Sequence, residues 1–418
     1  MTEKDRNLYL QDPGAPELIA AVDLEAASAA VGAVALRIPA LVSQGLSELA
    51  GGPVALKPEC LQRSGSFKLR GALAKLAALG AADAGIVTAS AGNHGRAVAY
   101  AARARGVSCA VFMPIEAPVS KVTAVEQLGA RVEMHGDSVD EALSAATEFA
   151  EASGAALVHP FDDLDVIAGQ ATIALELVEE VPDLARVLIP VGGGGLASGI
   201  GIALRRLGRD VELIGVQARA CAPYASALDG GEPGASELSP GATIADGIAI
   251  KRPGRLTLPL LRELLAGMET VSEDEIADAM VFLAERVKLV AEGAGAAAVA
   301  ALRAGRLEPV AGTTVAIVSG GNVDIGLLAS LLRRQDTEEG RVVRLFTRVP
   351  DRPGGLAELL GVIAGARANV MTVEHVREAV PLHVRETGVE LTLETRGPRH
   401  TVEVLDALRA AGYEVAEA

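Results

Sequence analysis

The sequence predicts an α/β protein with a smaller α+β unit appended at its C-terminal end. Three observations carry that expectation. From about residue 54 to 330, short β-branched runs alternate with Ala-rich segments of helical spacing. A polar break, Arg333-Arg-Gln-Asp-Thr-Glu-Glu-Gly340, then interrupts the alternation. Beyond it the chain reads strand, helix, strand, strand, helix, strand, the order of a ferredoxin-like unit.

In the first part, strands are expected at Ile86–Ser90, Cys109–Met113, Arg131–His135, Ala156–His159, Arg186–Val191, Val211–Gln217 and Thr314–Ser319. Several are almost wholly apolar, as parallel strands are when helices cover both faces. Helical spacing marks Arg96–Arg105, Ser138–Ala152 and Leu196–Leu207 between them. Such alternation implies right-handed crossovers, with ligands bound beyond the carboxyl ends of the strands. In the tail, Val342–Val349, Asn369–Val376, Val389–Glu394 and Tyr413–Ala416 read as strands, and Pro353–Ala366 and His400–Ala411 as helices.

Composition narrows the function. A chain of 418 residues, half hydrophobic and 22% charged, is a globular protein with room for two or three domains. Its formal charge of −16, with no basic run, argues against a nucleic-acid partner. Cys60, Cys109 and Cys221 are far apart and form no C-x-x-C pair. That excludes a disulfide framework or structural zinc site and points to a reducing compartment. The N-terminal MTEKDRNLYLQDPGAP lacks the basic-then-apolar pattern of a signal peptide. Apolar stretches are cut by charge before the roughly 18 residues of a membrane span. Gly293–Leu302 comes nearest, and Arg303 ends it. The expectation is a soluble, cytoplasmic protein with no membrane partner.

Four segments could carry chemistry. In Lys57-Pro-Glu-Cys-Leu-Gln-Arg-Ser-Gly-Ser-Phe-Lys-Leu-Arg-Gly-Ala72, Lys68 opens an Ala/Leu-rich helix between Gly65 and Gly71. The positive end of the helix dipole lowers the affinity of such an amine for its proton, the bias a Schiff-base lysine needs. Taken alone, Lys68 reads more readily as a solvated helical lysine. In Ile86-Val-Thr-Ala-Ser-Ala-Gly-Asn-His-Gly95 a strand runs into a helix N-terminus, whose N–H groups suit a carboxylate. There Asn93 offers a neutral donor, and His94 reads as a turn or packing residue before a base.

Third, Val191-Gly-Gly-Gly-Gly-Leu196 again follows a strand and precedes a helix. Its successive N–H groups can converge on a phosphate, and four ordered glycines are too costly for an ordinary turn. A dinucleotide site would fit a loose G-x-G-x-x-A here, but Glu212 opens the next strand instead of closing it. Fourth, Thr314-Val-Ala-Ile-Val-Ser-Gly-Gly-Asn322 sets Ser319 at a strand end, where a hydroxyl can meet a neutral pyridine nitrogen. Alone it is a loop serine. Glu292, in Ala-Glu-Gly-Ala-Gly295, reads as a helix-end glutamate.

Together and in this order, the four segments resemble the two-lobed fold-type-II pyridoxal-phosphate (PLP) enzymes, with a tryptophan synthase β-like fold, and most closely the threonine dehydratases. The resemblance runs from roughly residue 20 to 330. It implies that Lys68 links the cofactor and acts catalytically. Phe67 and Asn93 would contact the ring, Gly192, Gly193, Gly194, Gly195 and Leu196 would hold the phosphate, and Ser319 would face the pyridine nitrogen. Ser90, Ala91, Gly92, Asn93 and His94 would receive the carboxylate of the substrate, L-threonine with L-serine as a side substrate. It also implies a small lobe of about residues 75–155 inserted in a catalytic domain of residues 1–330.

The serine racemases are similar over the same span. Their pattern carries a second serine where this chain has Ala91, which cannot transfer a proton, so elimination is expected over racemisation. Their divalent-metal site begins with a glutamate after the strand that here ends in Gln217. This chain departs from that pattern, so no divalent metal is expected, and a monovalent ion stays open. After a linker at 331–341, residues 342–418 resemble an ACT domain. That implies an amino-acid effector, isoleucine or valine, near Pro350, Asp351, Gly354 and Asn369, and a homodimer or homotetramer. Serine dehydratase, threonine synthase and a non-catalytic amino-acid sensor share enough of these features to stand as alternatives.

Overall fold

The computed structural model describes residues 14–230, 243–377 and 385–417. The chain divides into two compact units, Met1–Asp324 and Ile325–Ala418. Among the described residues ten strands belong to the first: β1 Leu41–Val42, β2 Val54–Lys57, β3 Ile86–Ala89, β4 Cys109–Met113, β5 Arg131–Met134, β6 Ala156–Leu157, β7 Leu184–Pro190, β8 Glu212–Ala218, β9 Gly267–Val271 and β10 Thr313–Ile317. A larger sheet runs β1-β2-β10-β7-β8-β9, parallel except for the β1–β2 pair. A smaller one, β5-β4-β3-β6, is parallel throughout and falls wholly between β2 and β7 in sequence. The inserted sheet is the smaller of two lobes, and both sheets have the α/β architecture expected from the alternation.

The expected strands recur with ends shifted by one or two residues, and three strands are additional. β1 has only two residues, and β9 is only partly buried along most of its length, so neither shows a strong period. β2 ends in Lys57, a residue with no exposed surface whose charge hides a buried strand from a pattern of apolar residues. Ser138, expected inside a helix, instead caps Val139–Ser153 by accepting from the Glu141 N–H.

The helix Lys68–Leu79 positions the lysine. Leu69, Ala72, Leu73 and Leu76 are buried in one core cluster with Val166 and Ile167 of the helix Leu164–Glu180. Each buried leucine stabilises the packing by about 1.5–3 kcal/mol. The backbones approach closely because Gly71 lies in the contact, where a Cβ would sit 2.8 Å from the Val166 carbonyl oxygen. This packing fixes where the first turn of the helix, and therefore Lys68, stands.

The second unit contains β11 Val342–Pro350, β12 Asn369–Val376, β13 Glu386–Glu394 and β14 Val415–Glu417 in the antiparallel order β12-β13-β11-β14. Helices Gly355–Gly365 and Pro398–Ala410 complete the βαββαβ path. Along β11, Val343, Leu345 and Val349 are buried in one cluster with Leu359, Ile363, Val404 and Leu408 from the two helices. Residues 331–341, read from sequence as a linker, lie largely in the helix Ile325–Glu338. Side chains four apart hold it: Arg334 pairs with Glu338 at 2.6 Å and Gln335 donates to Glu339 at 2.7 Å. Among the described residues no helix is long and apolar enough to cross a membrane.

Candidate active site

Lys68 is the first residue of its helix, and its Nζ donates to the Pro160 carbonyl at 2.7 Å. Burial lowers its pKa to about 8, against the opposing pull of Glu292. From sequence the helix dipole is the expected cause of such a shift; desolvation is the cause found in the fold. Phe161 follows Pro160, with its ring over Gly193 and its backbone beside Gly195. One short segment therefore touches both the amine and the tetraglycine turn.

That turn leads from β7 into the helix Gly195–Arg206, with Gly194 as its left-handed N-cap at φ 86°. The Gly193 carbonyl accepts from the Tyr224 hydroxyl at 2.7 Å and from Thr257 Oγ1 at 2.8 Å, which anchors the loop. A Cβ at Gly193 would strike the Phe161 ring, and one at Gly194 would come 2.9 Å from the Tyr224 oxygen. The first N–H groups of the helix lack intrahelical partners and carry the positive end of its dipole. They form an anion site.

Ser319, two residues past β10, is buried, with its Oγ 3.4 Å from the Ala294 carbonyl oxygen. Its own carbonyl accepts from the Phe67 N–H at 3.1 Å, and Ser66 and Gly320 form an isolated antiparallel bridge. The lysine segment and the serine segment thus run side by side.

Asn93 begins the helix Asn93–Arg105 just past β3. Its Nδ2 donates to Glu292 Oε1 at 2.5 Å, and its Oδ1 accepts from Asn322 Nδ2 at 2.6 Å. Asn322 in turn accepts from the Arg96 guanidinium at 2.7 Å. Nearby, Ser90 Oγ accepts from the Gly92 N–H at 3.1 Å, shaping the turn that includes Ala91. His94 is buried, and its Nε2 lies 3.0 Å from the Val158 carbonyl oxygen, to which it can only donate. Burial, with the charges of Lys68 and His159, pushes its pKa down to about 3. It is a neutral ring whose Nδ1 is an acceptor, not an acid.

Glu292 caps the helix Gly293–Arg303 and is 6% exposed. Burial and the charge of Asp246 raise its pKa to about 7, while Asn93, Lys121 and Arg96 pull the other way. Sequence reasoning left Glu292, Asn322, Arg96 and Phe161 outside the site. The only local signals were the small residues around Glu292 and the Gly-Gly pair before Asn322. The other expected residues, Lys68, Phe67, Ser90 to His94, Gly192 to Leu196 and Ser319, converge on this one region.

Residues 34–320 match the protein family described as pyridoxal-phosphate dependent enzyme. The chain belongs to that family. It is 44% identical to the L-threonine ammonia-lyase of Thermotoga maritima over 401 residues, which cover 95% of this chain and 99% of that protein. Among solved structures it is similar to the processed form of threonine deaminase isoform 2 from Solanum lycopersicum, at 32% identity and a TM-score of 0.68 over 80% of this chain and 89% of the other. The serine racemase of Dictyostelium discoideum gives 36% identity and 0.67 over 73% and 99%.

For a pyridoxal-phosphate enzyme, the residues present fit the cofactor. The glycine cradle has no room for Cβ atoms on two of its residues, and an amine of lowered pKa stands one residue from its wall. Ser66 Oγ, His94 Nδ1 and Ser198 Oγ are buried polar atoms with no hydrogen-bond partner among the described residues.

In the C-terminal unit, Pro350, Asp351 and Gly354 line a cavity of about 340 Å³ together with His375 and Thr387. Thr387 Oγ1 is buried there with no hydrogen-bond partner among the described residues. Asn369 is elsewhere: it pairs with Glu394 across β12 and β13, donating to it at 3.0 Å.

Proposed function

We propose that the protein dehydrates and deaminates L-threonine to 2-oxobutanoate and ammonia, with L-serine giving pyruvate as a side activity. Near-full-length likeness to an L-threonine ammonia-lyase carries this reading. When bound, pyridoxal phosphate supplies a carbonyl that condenses with amines and a ring that withdraws electrons from the substrate α-carbon. Gly192 to Leu196 would hold its phosphate, Phe67 and Asn93 its ring, and Ser319 its nitrogen.

The protein's own residues account for the rest. The Lys68 amine, with a pKa near 8, is neutral in a useful fraction at physiological pH and takes the α-proton. N–H groups of residues 90–94, at a helix N-terminus, bind the carboxylate. Ala91 holds no proton, so transfer is confined to one face and the β-hydroxyl departs. Water lost in that step returns as ammonia is released, leaving 2-oxobutanoate. Ser319, a hydroxyl instead of a carboxylate, favours a neutral pyridine and prompt elimination.

The C-terminal unit is read as an ACT domain that binds isoleucine or valine at its cavity and lowers activity. Coupling requires the effector to prefer one of two states of the catalytic unit. Three free, buried cysteines accord with a reducing, cytoplasmic setting, and the family resemblance with a homodimer or homotetramer. The test is steady-state oxo-acid formation from threonine and serine, with and without isoleucine and valine. Threonine should be preferred. Turnover of serine alone would favour a serine dehydratase, and no turnover of either an amino-acid sensor. Removing residues 341–418 should leave an active enzyme that isoleucine no longer inhibits; inhibition that survives the deletion defeats the regulatory reading.

A further inference from the structure

Arg70, two residues beyond Lys68, has no exposed surface. All five of its N–H donors are engaged. Nε and NH2 grip Glu59 at 2.9 and 2.7 Å, NH1 and NH2 grip Glu176 at 2.7 and 3.0 Å, and NH1 also reaches Thr172 Oγ1 at 3.0 Å. Neither family membership nor the proposed reaction uses this residue.

The two carboxylates reach the serine segment by different routes. Glu59 opens the 3₁₀ turn Glu59–Leu61, and the next residue, Cys60, donates its N–H to the Val318 carbonyl at 3.0 Å. Val318 immediately precedes Ser319. Glu176 belongs to the helix Leu164–Glu180 and pairs with Lys57 at 2.8 Å. Lys57 is also held by Glu180 at 2.9 Å and by the Ile38 carbonyl at 2.6 Å, so it does not depend on Glu176. Beside the direct Phe67–Ser319 backbone bond, the Glu59 arm is the shorter side-chain path from the lysine helix to the serine segment. The Glu176 arm reaches Val318 by way of Lys57, whose carbonyl accepts from the Val318 N–H at 3.0 Å.

We propose that the Arg70–Glu59 pair is a positioning device that sets the spacing between Lys68 and Ser319, the two ends of the site that would grip the cofactor ring. A constellation of this kind must be held to within about 0.5 Å by groups that are themselves locked. Lys68 hangs on a long, flexible side chain, so its reach is set by its helix, and Arg70 ties that helix to the serine segment with two charge-assisted bonds. The inference rests on Lys68 and Ser319 marking the two ends of the cofactor, and not on which amino acid is the substrate.

Glu59→Gln and Glu176→Gln, made in the full chain and loaded with pyridoxal phosphate, separate positioning from simple support. Each variant removes one carboxylate charge beside Arg70, so both should lower the thermal midpoint. Only Glu59→Gln should shift the visible absorbance maximum of the lysine-bound cofactor and its pH dependence, and lower kcat by about ten- to a hundredfold. A wild-type spectrum and kcat in Glu59→Gln, or equal changes in both variants, would overturn the proposal. If the glutamine variants do not fold, Glu59→Asp and Glu176→Asp, which keep the charge and move it by one methylene, are compared by the same criteria. Borohydride fixing the cofactor of the unmodified enzyme to a residue other than Lys68 would instead remove the assignment on which the proposal stands.

Discussion

Lys68 and Arg70 stand two residues apart on one helix, and the protein treats their charges in opposite ways. Arg70 is fully buried, yet Glu59 and Glu176 more than offset the cost of desolvation and raise its pKa. Glu176 is burdened by burial too, but Arg70 and Lys57 pull its pKa below the ordinary carboxylate value. Lys68 donates to a carbonyl oxygen, and burial takes its pKa down to about 8. Glu292, whose contact is a neutral amide, goes up to about 7. Charges that hold architecture receive a full set of partners. Lys68 and Glu292, hydrogen-bonded to neutral groups, drift toward neutrality, the pattern expected of an active site.

That contrast breaks if the two clusters respond alike to mutation. The largest effect should come from Lys68→Ala, with kcat falling by at least about 100- to 10,000-fold, the contribution of a positioned acid–base group. Turnover measured at saturating cofactor checks it, and substantial residual activity would refute the role given to Lys68. Next is Arg70→Met. Removing the guanidinium leaves Glu59 buried without its counter-ion and Glu176, partly buried, with Lys57, which should cost about 3–5 kcal/mol of stability in chemical denaturation. A loss below about 1 kcal/mol would mean that the cluster does not hold its charges as described.

Glu292→Gln should act in the opposite direction. The folded pKa near 7 lies above the usual 4.5, so the native state binds this proton more tightly than the unfolded chain. The contribution is fully present below pH 4.5 and is lost as pH rises through 7. The neutral isostere, which still accepts from Asn93, escapes that loss. In cofactor-free protein it should be more stable than the wild type by about 2–3 kcal/mol at about pH 8, with no gain at about pH 4. A gain independent of pH would place its origin elsewhere.

The sequence made one half of this contrast legible and concealed the other. Glycine-rich turns after strands are local signals, so the phosphate loop, the Ser90–His94 turn and the Ser319 segment could be placed from a few neighbouring residues. Lys68 was legible only in their company. Arg70 offered no such signal. In Ser-Phe-Lys-Leu-Arg-Gly it reads as a second surface cation, because its partners lie 11 and 106 residues away. Glu292 reads as a helix-end glutamate and does stand at the N-cap position of Gly293–Arg303, but its contact with Asn93 spans 199 residues. Lys57 disguised β2 for a similar reason: a buried charge looks like the end of a strand until its carboxylates are found. In the C-terminal unit the βαββαβ order was plain from alternation, whereas the charged segment before it, read as a linker, forms a helix through pairs four residues apart.

The smallest effect should come from a third kind of ion pair. Lys121, on the helix Val119–Glu126, meets Asp246 at 2.7 Å, with side chains 32% and 60% exposed. Water already solvates both ions, so the pair gains little and side-chain ordering opposes it. Lys121→Ala should therefore change stability by less than about 1 kcal/mol, and by still less at high salt, where screening shortens the reach of exposed charges. It should also move the Glu292 titration upward, because Lys121 helps to hold that pKa down while Asp246 raises it. Denaturation at low and high ionic strength, together with the pH dependence of stability, reads both effects. A loss as large as that of Arg70→Met would show that exposure does not separate the pairs, and the contrast between partnered and unpartnered charge would need a different basis.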